Sequence, residues 1–166
     1  MPRIVACGGR RQAYEDFCTA LAQGRRAILL VDSEDPVMVQ SPWLHLRQRK
    51  GDEWPMPDGS TDDDCHLMVQ CMESWLLADR ETLRAYFGQG YNGRALPQPE
   101  NPIESVSRES AYQALVDATK KCKSKSPYTK GGHSFELLSR IDPRKVVSES
   151  PWAFRLVESL KKRMGR

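Results

Sequence analysis

The sequence predicts a small three-layer α/β domain, with a mainly parallel sheet and a helical C-terminal half. Three short apolar, β-prone runs, at residues 3–7, 27–31 and 66–72, are each followed by polar or helix-forming segments. Strands that alternate with helices favour parallel pairing, because the helix returns the chain to the same end of the sheet. A length of 166 residues suits one domain, so we expect residues 1–166 to fold as a single unit.

The first part of the chain has the pattern of a strand–helix–strand unit. The apolar run at 3–7 ends at Gly8-Gly9, and residues 10–24 place apolar side chains at helical spacing before a terminal glycine. Residues 27–31 are continuously apolar, which is typical of a strand covered on both faces. We therefore expect two parallel strands joined by a right-handed crossover.

The rest of the chain alternates between irregular and helical segments. Prolines and glycines indicate a long loop over residues 36–63, which contains a short helix around Trp43 and Leu46. The strand at 66–72 leads into a helix that we expect to continue without interruption to Gly88. An irregular stretch follows to residue 104. Three further helices are expected at 107–121, 134–141 and 152–163, and the segment DPRKVVSESP is expected to join the last two.

The composition is ordinary for a globular protein in water: 39% of the residues are hydrophobic, 28% are charged and the net charge is +3. No apolar run approaches the roughly 20 residues that cross a bilayer, and the N-terminus lacks the apolar core of a signal peptide. We therefore expect a cytoplasmic protein without membrane contact. Five scattered cysteines without a C-x-x-C pair favour reduced thiols over a zinc site.

Three acidic residues follow the second predicted strand within four positions: Asp32, Glu34 and Asp35. Ligands bind at the carboxyl ends of parallel strands, and crowded carboxylates favour a compensating cation. All three residues are therefore candidate ligands of Mg²⁺ or Mn²⁺, and Asp32 and Glu34 are also candidate catalytic groups. Turn chemistry is the alternative, because Asp and Ser accept backbone hydrogen bonds and Pro36 cannot continue a strand.

Other candidate functional residues lie further along the chain. Glu73 follows the third predicted strand and is a candidate catalytic group, with helix capping as the alternative. Lys130 and His133 precede a predicted helix, whose first backbone amides attract anions. Lys121 and Lys123 lie in the basic run KKCKSKS. We expect these three lysines and His133 to contact phosphate groups or nucleic acid, with solvated loops as the alternative.

The order of the motifs resembles a bacterial family, domain-of-unknown-function family 4276, which is similar to the Toprim domains of topoisomerases, primases and OLD-type nucleases. The resemblance covers nearly the whole chain and is carried by LLVDSED, HLMVQCMESWLLAD and YTKGGHSFELLSRIDP. It implies a Toprim-like fold and magnesium-dependent phosphodiester chemistry, with Asp32 and Glu34 at the acidic D-x-D element. It also implies a component of an anti-phage defence system that works beside an ABC- or AAA-type ATPase.

One position departs from the family pattern. The glutamate expected after the first strand falls on Cys7, and a thiol does not replace a carboxylate as a ligand of Mg²⁺. The sequence is thus compatible with two functions. One is a metal-dependent nuclease with an incomplete acidic site. The other is a catalytically degenerate adaptor that binds a partner ATPase or nucleic acid through Trp43, Trp54, Met56 and the loop at 88–104.

Overall fold

The computed structural model describes residues 3–165, which form eight α-helices and one two-stranded parallel sheet. The strands are Leu29–Asp32 (β1) and Cys65–Met68 (β2). The predicted class, α/β with parallel strands and a helical C-terminal half, is confirmed. The helices span Arg10–Ala22 (α1), Pro42–Gln48 (α2), Met72–Leu77 (α3), Arg80–Phe87 (α4), Arg108–Thr119 (α5), Lys130–Leu138 (α6), Pro143–Glu149 (α7) and Pro151–Arg163 (α8).

The register of the sheet brings the carboxyl ends of its two strands side by side. Leu29 is opposite Cys65 and Asp32 is opposite Met68. Backbone pairing continues past the strands, because the amide of Ser33 donates to the carbonyl of Met68 at 3.0 Å. The chain that leaves β1 therefore runs beside the chain that enters α3.

The prediction of a strand at residues 3–7 is wrong. These residues form no strand, and the side chains of Ile4 and Val5 are exposed, at 94% and 60%. A β-prone composition describes how a residue fits a pleated surface and does not specify a pairing partner. The described sheet accordingly has two of the three strands named above, and Leu30 in β1 is only partly covered.

The helices differ from the prediction at two places. The single helix expected after β2 is divided into α3 and α4, because the Asp79 carboxylate accepts a hydrogen bond from the Thr82 amide at 3.2 Å and caps α4. Helix α7 was expected to be a connecting segment. Its start is an Asp142 cap followed by Pro143, a local helix-start signal.

The buried apolar side chains form two clusters. The first joins α1 and α2 to the sheet, and Trp43 and Trp54 are buried in it. The second lies among the helices from α3 onward. The two tryptophans predicted as an exposed interface are therefore core residues, whereas Met56 is exposed. Within residues 3–165, no helix has the length and apolar character needed to cross a membrane.

Candidate active site

Asp32 and Glu73 meet at the carboxyl ends of the two strands. Asp32 is the last residue of β1, and Glu73 lies in the first turn of α3, which follows β2 after a three-residue connection. Both are buried, with only 8% and 2% of their surfaces exposed. The parallel register thus brings two carboxylates, from residues 41 positions apart, to one edge of the sheet.

Lys130 lies between these two carboxylates. Its ammonium nitrogen is 3.6 Å from Oδ2 of Asp32 and 3.5 Å from Oε2 of Glu73. Lys130 is the first residue of α6, which packs against α3. Its side chain is half-exposed, so the ammonium group compensates the buried charges and also faces solvent. We call these three residues the Asp32–Glu73–Lys130 centre.

Tyr128 fixes the position of Glu73. Its hydroxyl donates to Oε1 of Glu73 at 2.9 Å, and the tyrosine is fully buried. Burial raises the pKa of Tyr128 far above its ordinary value, and the Glu73 carboxylate raises it further. The phenol therefore stays protonated and donates at all physiological pH values. One oxygen of Glu73 is thus held by Tyr128 and the other faces Lys130.

The charges in the centre shift the acidity of its groups. Burial raises the pKa of the Asp32 carboxyl above its ordinary value, and Lys130 opposes this effect only in part. Burial acts to lower the pKa of Lys130, but the Glu73 and Asp32 carboxylates outweigh it and raise that pKa. In addition, Oδ1 of Asp32 is buried without a hydrogen-bond partner in residues 3–165. Asp32 is thus the less compensated of the two carboxylates.

Glu34 and Asp35 do not join this centre. The Glu34 carboxylate forms ion pairs with Arg10, Arg49 and Arg108. Asp35 accepts a hydrogen bond of 2.7 Å from Nε of Arg49. The structure therefore separates the three acids that the sequence grouped as metal ligands. Among the described residues 3–165, no group of three or more His, Cys, Asp or Glu side chains is arranged to hold a metal ion.

Of the predicted phosphate contacts, only Lys130 reaches the centre. Helix α6 begins at Lys130, before the glycine pair, and not after it. His133 is buried among Tyr86, Phe87 and Tyr128, and its Nδ1 accepts the amide of Thr129 at 3.2 Å.

The two other predicted lysines and Cys7 lie apart from the centre. Lys121 and Lys123 are exposed in the loop after α5, and neither forms an ion pair with another residue of the 3–165 range. Cys7 lies in the irregular N-terminal segment, where burial and then Asp16 raise its pKa. Its thiol stays protonated at neutral pH and does not act as a carboxylate.

Sequence reasoning missed four residues of the site region: Tyr128 and the three arginines around Glu34. Tyr128 lies two positions before Lys130, and the sequence alone gives no sign that it reaches a glutamate 55 positions away. The arginines around Glu34 come from α1, the end of α2 and the start of α5. In the sequence each arginine is an ordinary charged residue, and only the fold brings the three close to one another.

Comparison with known proteins identifies the family. The sequence model of a family described as "Domain of unknown function (DUF4276)" matches residues 8–161. The chain belongs to the DUF4276 family. The predicted family is therefore confirmed, and all members of the centre lie inside the matched DUF4276 region. No curated protein and no solved structure matches the chain significantly.

Proposed function

We propose that this protein is a metal-dependent phosphodiesterase of the nuclease type, with the Asp32–Glu73–Lys130 centre as its active site. One observation carries the proposal: two buried carboxylates from adjacent strand ends face a single half-exposed ammonium group. Burying two negative charges beside one positive charge costs stability, so a stable fold alone gives no reason for the arrangement. A site that binds a cation and an anionic substrate would explain why both carboxylates are buried there.

The donor set of the centre fits Mg²⁺ or Mn²⁺. Both ions prefer carboxylate oxygens, and Oδ1 of Asp32 is a buried oxygen that lacks a partner in residues 3–165. Asp32 and Glu73 would hold the ion. Glu34 does not fit, since three guanidinium groups already surround its carboxylate. A bound ion would supply a Lewis acid and an activated water.

The protein's own groups have distinct roles in this proposal. Asp32 would act as a ligand of the ion, because its Oδ1 is buried and lacks another partner in residues 3–165. Lys130 stays protonated and is half-exposed, so its ammonium group is placed to contact a phosphate oxygen. Tyr128 holds Glu73 in one orientation. The centre thereby offers carboxylate ligands for a cation and a positive contact for a phosphate oxygen at one point.

The proposal extends to the wider assignments suggested by the motif order. These are a Toprim-like relationship, a bacterial anti-phage role beside an ATPase, and nucleic acid as the substrate. Two parallel strands with acids at their carboxyl ends support the Toprim-like relationship. The basic run that contains Lys121 and Lys123 is exposed, which supports a polyanionic substrate.

A second candidate function is a catalytically degenerate adaptor that binds a partner ATPase or nucleic acid. The ion pairs of Glu34 favour it, because they occupy a carboxylate that the family resemblance assigns to the metal. The burial of Trp43 and Trp54 argues against the aromatic interface expected for such an adaptor. A metal-binding experiment separates the two functions.

The test is a calorimetric titration of Mn²⁺ into the wild-type protein and into Asp32→Asn and Asp58→Asn. Asp58 is an exposed aspartate, so its variant controls for the same change in charge. We expect micromolar binding that is lost in Asp32→Asn and kept in Asp58→Asn, with circular dichroism showing that all three are folded. Cleavage of DNA and RNA should likewise be lost in Asp32→Asn and kept in Asp58→Asn. Equal binding by wild type and Asp32→Asn would refute the enzyme and favour the adaptor.

A further inference from the structure

Three guanidinium groups from distant segments converge on one carboxylate beside the candidate active site. Arg10 opens α1, Arg49 follows α2 and Arg108 opens α5. Each places a nitrogen within 4.0 Å of the Glu34 carboxylate. Arginine groups arranged around one point form the usual protein site for a phosphate group.

Glu34 occupies this point incompletely. Of the three arginines, only Arg108 forms a hydrogen bond with the Glu34 carboxylate. The nearest nitrogens of Arg10 and Arg49 are 4.0 Å and 3.7 Å away, beyond the range of a charge-assisted hydrogen bond. In this position the two oxygens of the Glu34 carboxylate form no hydrogen bond with Arg10 or Arg49. A tetrahedral phosphate has more oxygens, directed outward from one centre. It can accept hydrogen bonds from Arg49 and Arg108, while Arg10, whose Nε donates to the Asp32 carbonyl, contributes its positive charge.

Two of the three arginines are held in place without Glu34. The Asp52 carboxylate accepts two hydrogen bonds of 2.7 Å from Arg10, and one of its oxygens lies 3.2 Å from Arg49. The Asp52 side chain is buried, so this anchor is fixed. Removal of the Glu34 carboxylate therefore leaves Nη2 of Arg49 facing the vacated position and the Arg10 charge fixed beside it, which is the preorganisation an anion site needs.

Two features of the site favour displacement of the Glu34 side chain: the backbone conformation of Glu34 and the exposure of Arg108. Its φ is 66°, a left-handed backbone conformation that is unfavourable for a residue with a side chain. Arg108, its hydrogen-bonded partner, is the most exposed arginine of the three. An incoming dianion thus approaches from the side of Arg108 and competes with a single negative charge.

We infer that Arg10, Arg49 and Arg108 form a binding site for a phosphate group, and that Glu34 occupies this site as an internal stand-in. Nε of Arg10 also donates to the backbone carbonyl of Asp32 at 2.9 Å, so the site adjoins the candidate active site. Its use for a second phosphate of the substrate rests on the proposed function. The binding of phosphate itself does not depend on that function.

The test is a titration of inorganic phosphate at low ionic strength without metal, followed by calorimetry and by NMR of the arginine side chains. Glu34→Gln should bind phosphate at least tenfold more tightly than the wild type. Glu15→Gln is the matched control, because Glu15 is an exposed glutamate paired with Arg11, and its affinity should equal that of the wild type. The double variant Glu34→Gln/Arg108→Gln should lose the gain.

A second variant covers the case in which Glu34→Gln does not fold. Glu34→Gly also removes the carboxylate, and glycine adopts a φ of 66° without strain. Wild-type affinity in the folded variants, or a gain that survives the loss of Arg108, would overturn the inference. Unfolding of both variants would show that Glu34 is a structural ion pair and would overturn it as well. None of these results depends on metal binding or hydrolysis, so they are separate from the fate of the proposed function.

Discussion

Replacement of Tyr128 by phenylalanine removes the hydroxyl that holds Glu73. The aromatic ring keeps its packing, but a fully buried carboxylate loses a donor at 2.9 Å. A hydrogen bond to a charged group contributes about 1.5–3 kcal/mol, and the other oxygen of Glu73 keeps only the Lys130 ammonium at 3.5 Å. We therefore expect Tyr128→Phe to lower the free energy of unfolding at pH 7 by about 2 kcal/mol.

Urea unfolding and calorimetry measure this loss. For a chain of this length, about 2 kcal/mol corresponds to a fall in Tm of about 4–8 °C. Tyr112→Phe is the control, because Tyr112 packs edge-on against Tyr128 but is 39% exposed, so its hydroxyl remains hydrated. It should change the stability by less than about 0.5 kcal/mol. A change just as small in Tyr128→Phe would refute the argument that Tyr128 compensates the Glu73 charge.

Two further predictions concern stability. The pKa of Asp32 is raised in the folded state, so its charged form costs stability once the pH rises above the ordinary value of 3.8. The stability of Asp32→Asn relative to wild type should therefore increase from pH 3.5 to pH 7 in urea unfolding, by about 1.4 kcal/mol for each tenfold weakening of the acid on folding. A stability difference that stays constant over this pH range would contradict the prediction. Gly90 has a φ of 93° and an added Cβ would overlap the carbonyl of Lys121, so Gly90→Ala should cost at least about 2 kcal/mol. Gly131→Ala meets no atom within 4 Å in the first turn of α6 and should stabilise by about 0.5 kcal/mol; thermal unfolding of both variants tests the contrast.

At Asp32, the stability of the fold and the binding of Mn²⁺ can be compared in the same variant. If Asp32→Asn stabilises the fold and abolishes Mn²⁺ binding, the carboxylate is present for a ligand and not for the fold. Active sites commonly trade stability for function in this way. Loss of stability together with loss of binding would instead assign Asp32 a structural role.

Local chemistry allowed many helix positions to be predicted. The helices expected at 107–121 and 152–163 match α5 and α8 within two residues, because caps such as Ser107 and Ser150 act on their own neighbours. Helix α7 was missed although Asp142 and Pro143 signal its start, since seven residues are too few to show a helical period. The break between α3 and α4 was likewise missed although Asp79 caps the amide of Thr82 locally; the contact from Lys145, 66 positions away, further stabilises Asp79 there.

By itself, the sequence determined the class of the fold and placed Asp32, Glu73 and Lys130 among the candidate functional residues, because strand ends and helix starts follow from local patterns. Only the tertiary structure decided which acids act together. In an extended strand, Asp32 and Glu34 would point to the same side. Glu34 leaves the extended conformation at a φ of 66°, and its carboxylate turns to arginines that lie up to 74 positions away. Charge pairing over such distances depends on the complete fold, and no local pattern encodes it.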